Sequence, residues 1–312
     1  MNYQIYFLIF ILNGILTYWI QKIFIHYKKF DDINHRSSHK NLATRTGGIG
    51  IFITLLIVSS YYYLNKIDLF DYSLFIPLGI MFVVGVYDDF YHADFKLKFF
   101  LQIIVAKIII DQGYVISNYQ GLFGLYEVPW LLAQITTVFV FLVIINAINF
   151  IDGIDALAIS EVIKIILLIE FFSANKTPLT PLALILTLSL LPLYYFNFKQ
   201  KCKVFLGDGG SLLLGTIVSI YTFYVLGSDF EFKSGYVINK TLFAVLILLY
   251  PLVDLLRIFI IRIKNKKSPF RPDQNHLHHY FLAKLKTHFK VIITIQFTTL
   301  IIIGLFMFLI AK

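Results

Sequence analysis

The chain has 312 residues, 58% of them hydrophobic and 14% charged, and its mean hydropathy is +0.78. Soluble domains carry about 25% charged residues, so this apolar excess exceeds what one soluble core can hide, and disordered and fibrous chains are excluded with it. The single cysteine, Cys202, excludes an internal disulfide and a cysteine-built zinc site, and the net charge of +9 reads as basic loops facing anionic lipid rather than nucleic acid.

In chain order, apolar segments fall near 3–25, 48–64, 70–87, 97–110, 129–148, 155–173, 179–196, 211–228, 237–261 and 290–311. They predict an all-α polytopic membrane protein with about ten transmembrane helices, a single domain over 1–312. The first segment is long enough to span and lacks the basic start and small-residue cleavage site of a signal peptide. Three segments are irregular. The third is interrupted by Pro77 and Gly79, the fourth holds Lys98 and Lys107, and the sixth holds Glu161, Lys164 and Glu170. The loops 26–47, 88–96 with Lys98, 149–154, 197–210 and 262–290 carry 18 lysines and arginines, whereas the opposite loops carry only Lys66, Lys176, Lys233 and Lys240. By the positive-inside rule the first set is cytoplasmic and both termini are periplasmic.

The cytoplasmic loops also hold the unusual residues. The first loop, HRSSHKNLATRTGG, combines Arg36, His39, Lys40 and Arg45 with Ser37, Ser38, Thr44 and Thr46, a composition suited to an anion. A topology signal would need the charges but not the serines and glycines. Asp88 and Asp89 are adjacent carboxylates at a membrane edge, which require a cation, either a divalent metal or the nearby Lys96 and Lys98. In NAINFIDGIDALA, Asn146, Asn149, Asp152 and Asp155 recur every three residues, a polar stripe on one helix edge. Helix capping would need one such residue, not four. FLGDGGS opens the eighth segment. Its Gly207, Gly209 and Gly210 suit a phosphate cradle and Asp208 a magnesium ion, although the Walker A ending is missing. Asp254 and Arg257, three apart in the ninth segment, read as a structural pair. Finally His276, His278 and His279 lie near Arg271 and Asp273. With no cysteine near and no carboxylate in register, they suit phosphate or ribose better than zinc.

Taken together, these clusters resemble the polyprenyl-phosphate N-acetylhexosamine-1-phosphate transferase family. RSSHKNLATRTGG is similar to the family's first loop, DDFYHADFKLKFFLQ to its DD…KxxxQ stretch, NAINFIDGIDALA to NxxNxxDGxDGLA, FLGDGGS to FxGDxGS, YPLVDLLRIFIIR to its PxxD…R helix and DQNHLHHYF to its HxHH loop. Ala43 and Thr46 depart from the first motif, and Ala156 replaces the second glycine of DGxDG. The resemblance implies transfer of an N-acetylhexosamine 1-phosphate from a UDP-sugar to undecaprenyl phosphate, releasing UMP, at the cytoplasmic face of a bacterial inner membrane. O-antigen or another cell-envelope polysaccharide would be the destination. It implies magnesium, with manganese as a substitute, held by Asp208 and Asp152. Asp88, Asp89 and Asp208 would serve catalysis. Lys40, Arg45, Lys98, Asn149, Asp152, Asp155, His276, His278 and His279 would bind substrate, the imidazoles as hydrogen-bond donors to the diphosphate. A homodimer is compatible with it, and no nucleic acid is expected. The contrasting reading is an ion-coupled transporter, which predicts carboxylates at mid-membrane and repeated halves. A structural assembly subunit would leave the histidine loop unexplained.

Overall fold

The computed structural model describes residues 3–31, 42–236, 238–266, 268 and 275–310. Lys40 lies outside them, as do Arg36, His39, Arg271 and Asp273. All ten apolar segments are helical. They form α1 (Tyr3–His26), α2 (Gly47–Leu64), α3 (Phe75–Tyr91), α4 (Phe95–Asp111), α5 (Trp130–Ile151), α6 (Leu157–Phe172), α7 (Thr180–Phe198), α8 (Gly207–Leu226), the pair α9 (Lys240–Ile247) and α10 (Leu249–Lys264), and α12 (His288–Ile310). The histidine motif forms its own short helix, α11 (Leu277–Leu285).

Seven of the described helices are long and apolar enough to cross a membrane, or eight if α9 and α10 count as one span. The ten expected spans are therefore ten helical segments of unequal length. At 17 and 16 residues, α4 and α6 rise only about 25 Å, against roughly 30 Å of hydrocarbon. The ninth segment bends by 75° between α9 and α10. Pro251 lies just beyond the bend, where its ring and missing N–H oppose a continuous helix. The interruption expected at Pro77 does not occur. Pro77 falls in the first turn of α3, where its missing donor is not needed.

Helix α8 is the axis of the fold. It is apolar on all sides and almost wholly enclosed by its neighbours, chiefly α2, α3, α5 and α6. Small residues let the backbones approach. A Cβ on Gly85 would stand 2.2 Å from the Asp208 carbonyl oxygen, and one on Gly48 2.2 Å from the Gly210 nitrogen. The buried charges of the sixth segment are paired. Lys164 Nζ lies 2.7 Å from Glu161, Gln296 donates to Glu161 at 2.9 Å, and Lys164 donates to Thr299 at 3.0 Å, fastening α12 to α6. Glu170 accepts from the hydroxyls of Thr177 and Thr180.

The all-α expectation needs one correction. Strands β1 (Ala43–Arg45) and β2 (Lys203–Phe205) pair in parallel, Ala43 opposite Lys203, and so join the first loop to the loop before α8. Both are too short to be legible as strands. Their pairing satisfies backbone groups in two segments that run side by side at one end of the bundle.

Candidate active site

The site lies where α3 ends and where α4 and α8 begin. Asp88 sits in the last turn of α3. Its Oδ1 accepts from Ala93 N at 2.8 Å, just past His92, whose left-handed backbone (φ 53°) ends the helix. Its Oδ2 faces Lys98, in the first turn of α4, at 2.6 Å. The same ammonium donates to Asp208 Oδ2 at 2.8 Å, so Lys98 bridges two carboxylates from different helices. Asn149 completes the group, donating to Asp208 Oδ1 at 3.2 Å and to Ser211 Oγ at 2.7 Å. Three motifs read separately in the sequence thus converge on Asp208.

Asp89 faces elsewhere. Its two oxygens accept from the backbone N–H groups of Asp208 and Gly209, each at 3.0 Å, so it caps α8 from the end of α3. Arg45 approaches it at 3.2 Å and reaches Asp31, which sequence reasoning missed, at 2.6 Å. Burial opposes the Arg45 charge, but Asp31, Asp89 and Asp208 outweigh it and hold the guanidinium pKa above its usual range. Asp89 is therefore a brace of the site. The phosphate cradle expected of Gly207, Gly209 and Gly210 is corrected with it. The helix end is already occupied by the Asp89 carboxylate, and Gly210 lies against the α2 backbone. Only Gly207 has a positive φ, 74°.

The polar stripe divides into four uses. Asn146 donates to Gln102 at 3.1 Å and locks α5 to α4. Asn149 reaches Asp208. Asp152 ends α5; burial, then Asp208 and Asp89, raise its pKa well above the carboxylate range. Asp155, expected on substrate, is instead clamped. Lys203 of β2 and His288 at the start of α12 hold its carboxylate, His288 at 2.9 Å. Burial pushes this carboxyl up, but those two hydrogen bonds outweigh it and keep its pKa low. With its charge spent on them and the residue only 6% exposed, Asp155 is a structural anchor.

The histidines form the facing wall. The rings of His276 and His278 lie 5.3 Å apart and nearly parallel, and His279 stands 4.3 Å from His278. His278 is fully buried, with Nδ1 3.4 Å from the Tyr250 hydroxyl and Nε2 without a hydrogen-bond partner among the described residues. A Cβ on Gly153 would meet that Nε2 at 2.4 Å, so Gly153 admits the ring beside Asp152. Burial, then His279, His276 and His288, push the His278 imidazole well below the usual histidine range. A ring so placed is neutral. Asp254 and Arg257 do not pair with each other. Asp254 Oδ2 lies 2.6 Å from His276 Nδ1, and Oδ1 accepts from Leu277 N at 2.6 Å. Arg257 donates to the Asn275 carbonyl. Helix α10 thus grips the loop with both residues. A carboxylate does reach the histidines, and donor atoms of Asp254, His276 and His278 lie within 4.8 Å of one another. Both Asp254 oxygens are already engaged, which makes the group a hydrogen-bonded anchor.

The donor set suits a hard cation. Carboxyl groups of Asp88, Asp89, Asp152 and Asp208 gather at the site with Lys98 and Arg45. Oxygen donors of this kind fit magnesium better than a softer metal.

A family model described as glycosyl transferase family 4 matches residues 72–226, which include all the carboxylates above except Asp31 and Asp254. The probable undecaprenyl-phosphate N-acetylglucosaminyl 1-phosphate transferase of Bacillus subtilis is 29% identical over 280 residues, covering 86% of this chain and 74% of that protein. The undecaprenyl-phosphate alpha-N-acetylglucosaminyl 1-phosphate transferase of Haemophilus influenzae is 31% identical, covering 86% and 76%, and that of Pasteurella multocida 32%, covering 87% and 76%. Extended similarity of this kind, over a chain whose motifs fold into one carboxylate-rich site, places the protein in the polyprenyl-phosphate N-acetylhexosamine-1-phosphate transferase family.

Proposed function

We propose that the protein transfers N-acetylhexosamine 1-phosphate from a UDP-sugar to undecaprenyl phosphate. The observation that carries this reading is the Asp88–Lys98–Asp208 bridge at the ends of three helices. An oxygen of the lipid phosphate attacks the sugar-bearing phosphorus. A new P–O–P link forms, the bond to the bridging oxygen of the diphosphate breaks, and UMP departs with that oxygen. A lipid phosphate is already ionised at neutral pH, so the chain's task is positioning and charge neutralisation rather than deprotonation. Asp208 and Asp152 would hold magnesium, which when bound supplies charge neutralisation to the diphosphate. Lys98 turns from the two carboxylates toward phosphate oxygens, Asp88 orients the lipid phosphate, and Asn149 fixes Asp208.

The finer topology belongs to the same proposal: ten spans, both termini periplasmic, and the site at the cytoplasmic face of an inner membrane. It is supported by the basic loops, since Arg45, Lys98 and Lys203 all flank the site. The transporter alternative finds no support, because the carboxylates gather at helix ends. N-acetylglucosamine is the first sugar to test, being the one named for the relatives. Membranes carrying the protein are given UDP-N-acetylglucosamine with and without undecaprenyl phosphate. Lipid-dependent UMP release is expected, and its absence with every UDP-N-acetylhexosamine would overturn the reaction.

A further inference from the structure

The charges of α6 stand apart from the carboxylate wall, yet they are expensive to keep in an apolar seam. Glu161 is fully buried and Lys164 nearly so, and the two lie one turn apart on α6 as an ion pair. Such a pair is complete within its own helix, but both members also reach across to α12. Glu161 accepts from Gln296 at 2.9 Å, and Lys164 donates to Thr299 at 3.0 Å. A third tie lies at the site end, where the Asp155 carboxylate meets His288 at 2.9 Å. The partners advance together along the chain, Asp155 with His288, Glu161 with Gln296 and Lys164 with Thr299. Helices α6 and α12 therefore run parallel and are tied at three depths. The apolar seam between the ties is monotonous: Val162 and Ile165 are buried on α6, and Val291, Ile292 and Ile295 on α12. Branched side chains this alike repack readily after a slip of one helical turn, about 5.4 Å. Lipid gives apolar helices no hydrophobic drive toward one register over another. Polar rungs do choose, because a slip would leave buried polar groups without partners.

Register matters because α12 carries the histidine helix. Two residues, Lys286 and Thr287, separate α11 from α12. Lys286 N–H closes α11 on the Leu282 carbonyl at 2.8 Å, and Val291 N–H meets the Thr287 carbonyl at 3.2 Å, so the joint is short and hydrogen-bonded on both sides. A movement of α12 along α6 would carry α11 with it. Helix α6, for its part, begins shortly after Asp152 and Gly153, and the His278 ring sits so close to Gly153 that a Cβ there would meet it at 2.4 Å. A slip of one turn would unseat that ring. We propose that Glu161, Lys164, Gln296 and Thr299 are positioning residues for the transferase site: they fix the register of α12 on α6 and so hold His278 against Gly153, beside Asp152. The proposal rests on the transferase reading for its effect on turnover, and on the helix packing alone for the register.

Gln296→Leu combined with Thr299→Val cuts both deeper ties and leaves the ion pair intact within α6. Spin labels on Leu167→Cys and Leu300→Cys, exposed positions of the two helices, read the register in a Cys202→Ser background. The distance distribution should be narrow with the ties intact and broadened or displaced without them, and kcat for UMP release should fall about 10-fold. A distribution unchanged in centre and width overturns the proposal. His278→Ala should also cost at least about threefold less in the untied protein than in the wild type, because the ring is already unseated there. Equal cost in both proteins overturns it as well. If the untied protein does not fold, the reversed pair decides. The Gln296 amide and the Thr299 hydroxyl can each serve a carboxylate or an ammonium, so Glu161→Lys with Lys164→Glu should keep the wild-type distances and at least about a third of turnover, whereas Lys164→Glu alone should lose both. A reversed pair that behaves no better than Lys164→Glu alone overturns the proposal. If the wild type releases no UMP from any UDP-sugar, the transferase reading fails, and the distances still decide the register.

Discussion

The carboxylate wall is cross-linked by charge. Lys98 ties α4 to α3 and α8, and Arg45 ties the first loop to α3. The histidine wall opposite is held by ring stacking and by hydrogen bonds, with Asp254 as its one carboxylate anchor among the described residues. The first wall is charged and adjustable, suited to phosphate and cation. The second is built of stacked rings and buried hydrogen bonds, suited to orienting whatever carries the phosphate. Gly153 marks where they meet, with the His278 ring resting on it one residue past Asp152.

The sharpest break between the walls comes from Asp208→Asn. Loss of one carboxylate at the phosphate centre should lower turnover by about a thousandfold, some 4 kcal/mol of transition-state stabilisation. UMP release measures it, with unchanged thermal unfolding as the control. Turnover within a few-fold of wild type at saturating magnesium would remove Asp208 from the reaction. Within the carboxylate wall, Asp88 and Asp89 should separate. Asp89→Ala frees two α8 amides and should destabilise the protein by about 2–3 kcal/mol, read as a lower melting temperature. Little of this comes from Arg45, which is partly open to solvent. Asp88→Asn should instead melt like the wild type and lose activity. Equal melting of Asp88→Asn and Asp89→Ala would contradict the bracing role.

The histidine wall answers to pH. His278 has a folded pKa below its unfolded value of 6.5, so the unfolded state binds the extra proton. The stability it confers is complete above about pH 6.5 and is lost as pH falls toward the depressed folded pKa. Melting temperature should fall over that range, at most about 1.4 kcal/mol per pH unit for one proton. His278→Gln should flatten the fall, and an unchanged profile would show the ring titrating freely. The smallest effect concerns Ala156, held at φ 58° where the family motif has glycine. Ala156→Gly should relieve about 1 kcal/mol of left-handed strain and raise the melting temperature by roughly 2 °C. A lower melting temperature would mean that chain entropy outweighs the strain.

Much of this was legible because it rests on local pattern. Ten apolar runs became ten helical segments, and Asp88, Lys98, Asn149 and Asp208 converge as their motifs suggested. What escaped depends on partners distant in the chain. Asp155 sits in a substrate-like stripe, yet its partners are Lys203 and His288, and no spacing rule reports them. Helical spacing pairs Asp254 with Arg257, but Asp254 reaches His276 and Leu277 while Arg257 holds the Asn275 carbonyl. The glycines of FLGDGGS looked like a phosphate loop because helix packing and phosphate cradling ask for the same residue. Only the position of the Asp89 carboxylate tells the two apart.

The parallel pairing of β1 with β2 has a consequence for synthesis. Thr44 pairs with Val204, about 160 residues later. At ribosomal speeds of about 5–20 residues per second, β1 waits on the order of 10–30 s for its partner. During that time α2 through α7 emerge while the first loop, with Arg45, has no strand beside it. The loop that helps complete the site is among the first pieces made and among the last to be set in place. A nascent chain halted before Lys203 would therefore lack the site, and an insertion factor or protease meeting such chains would encounter this basic segment without its pairing strand.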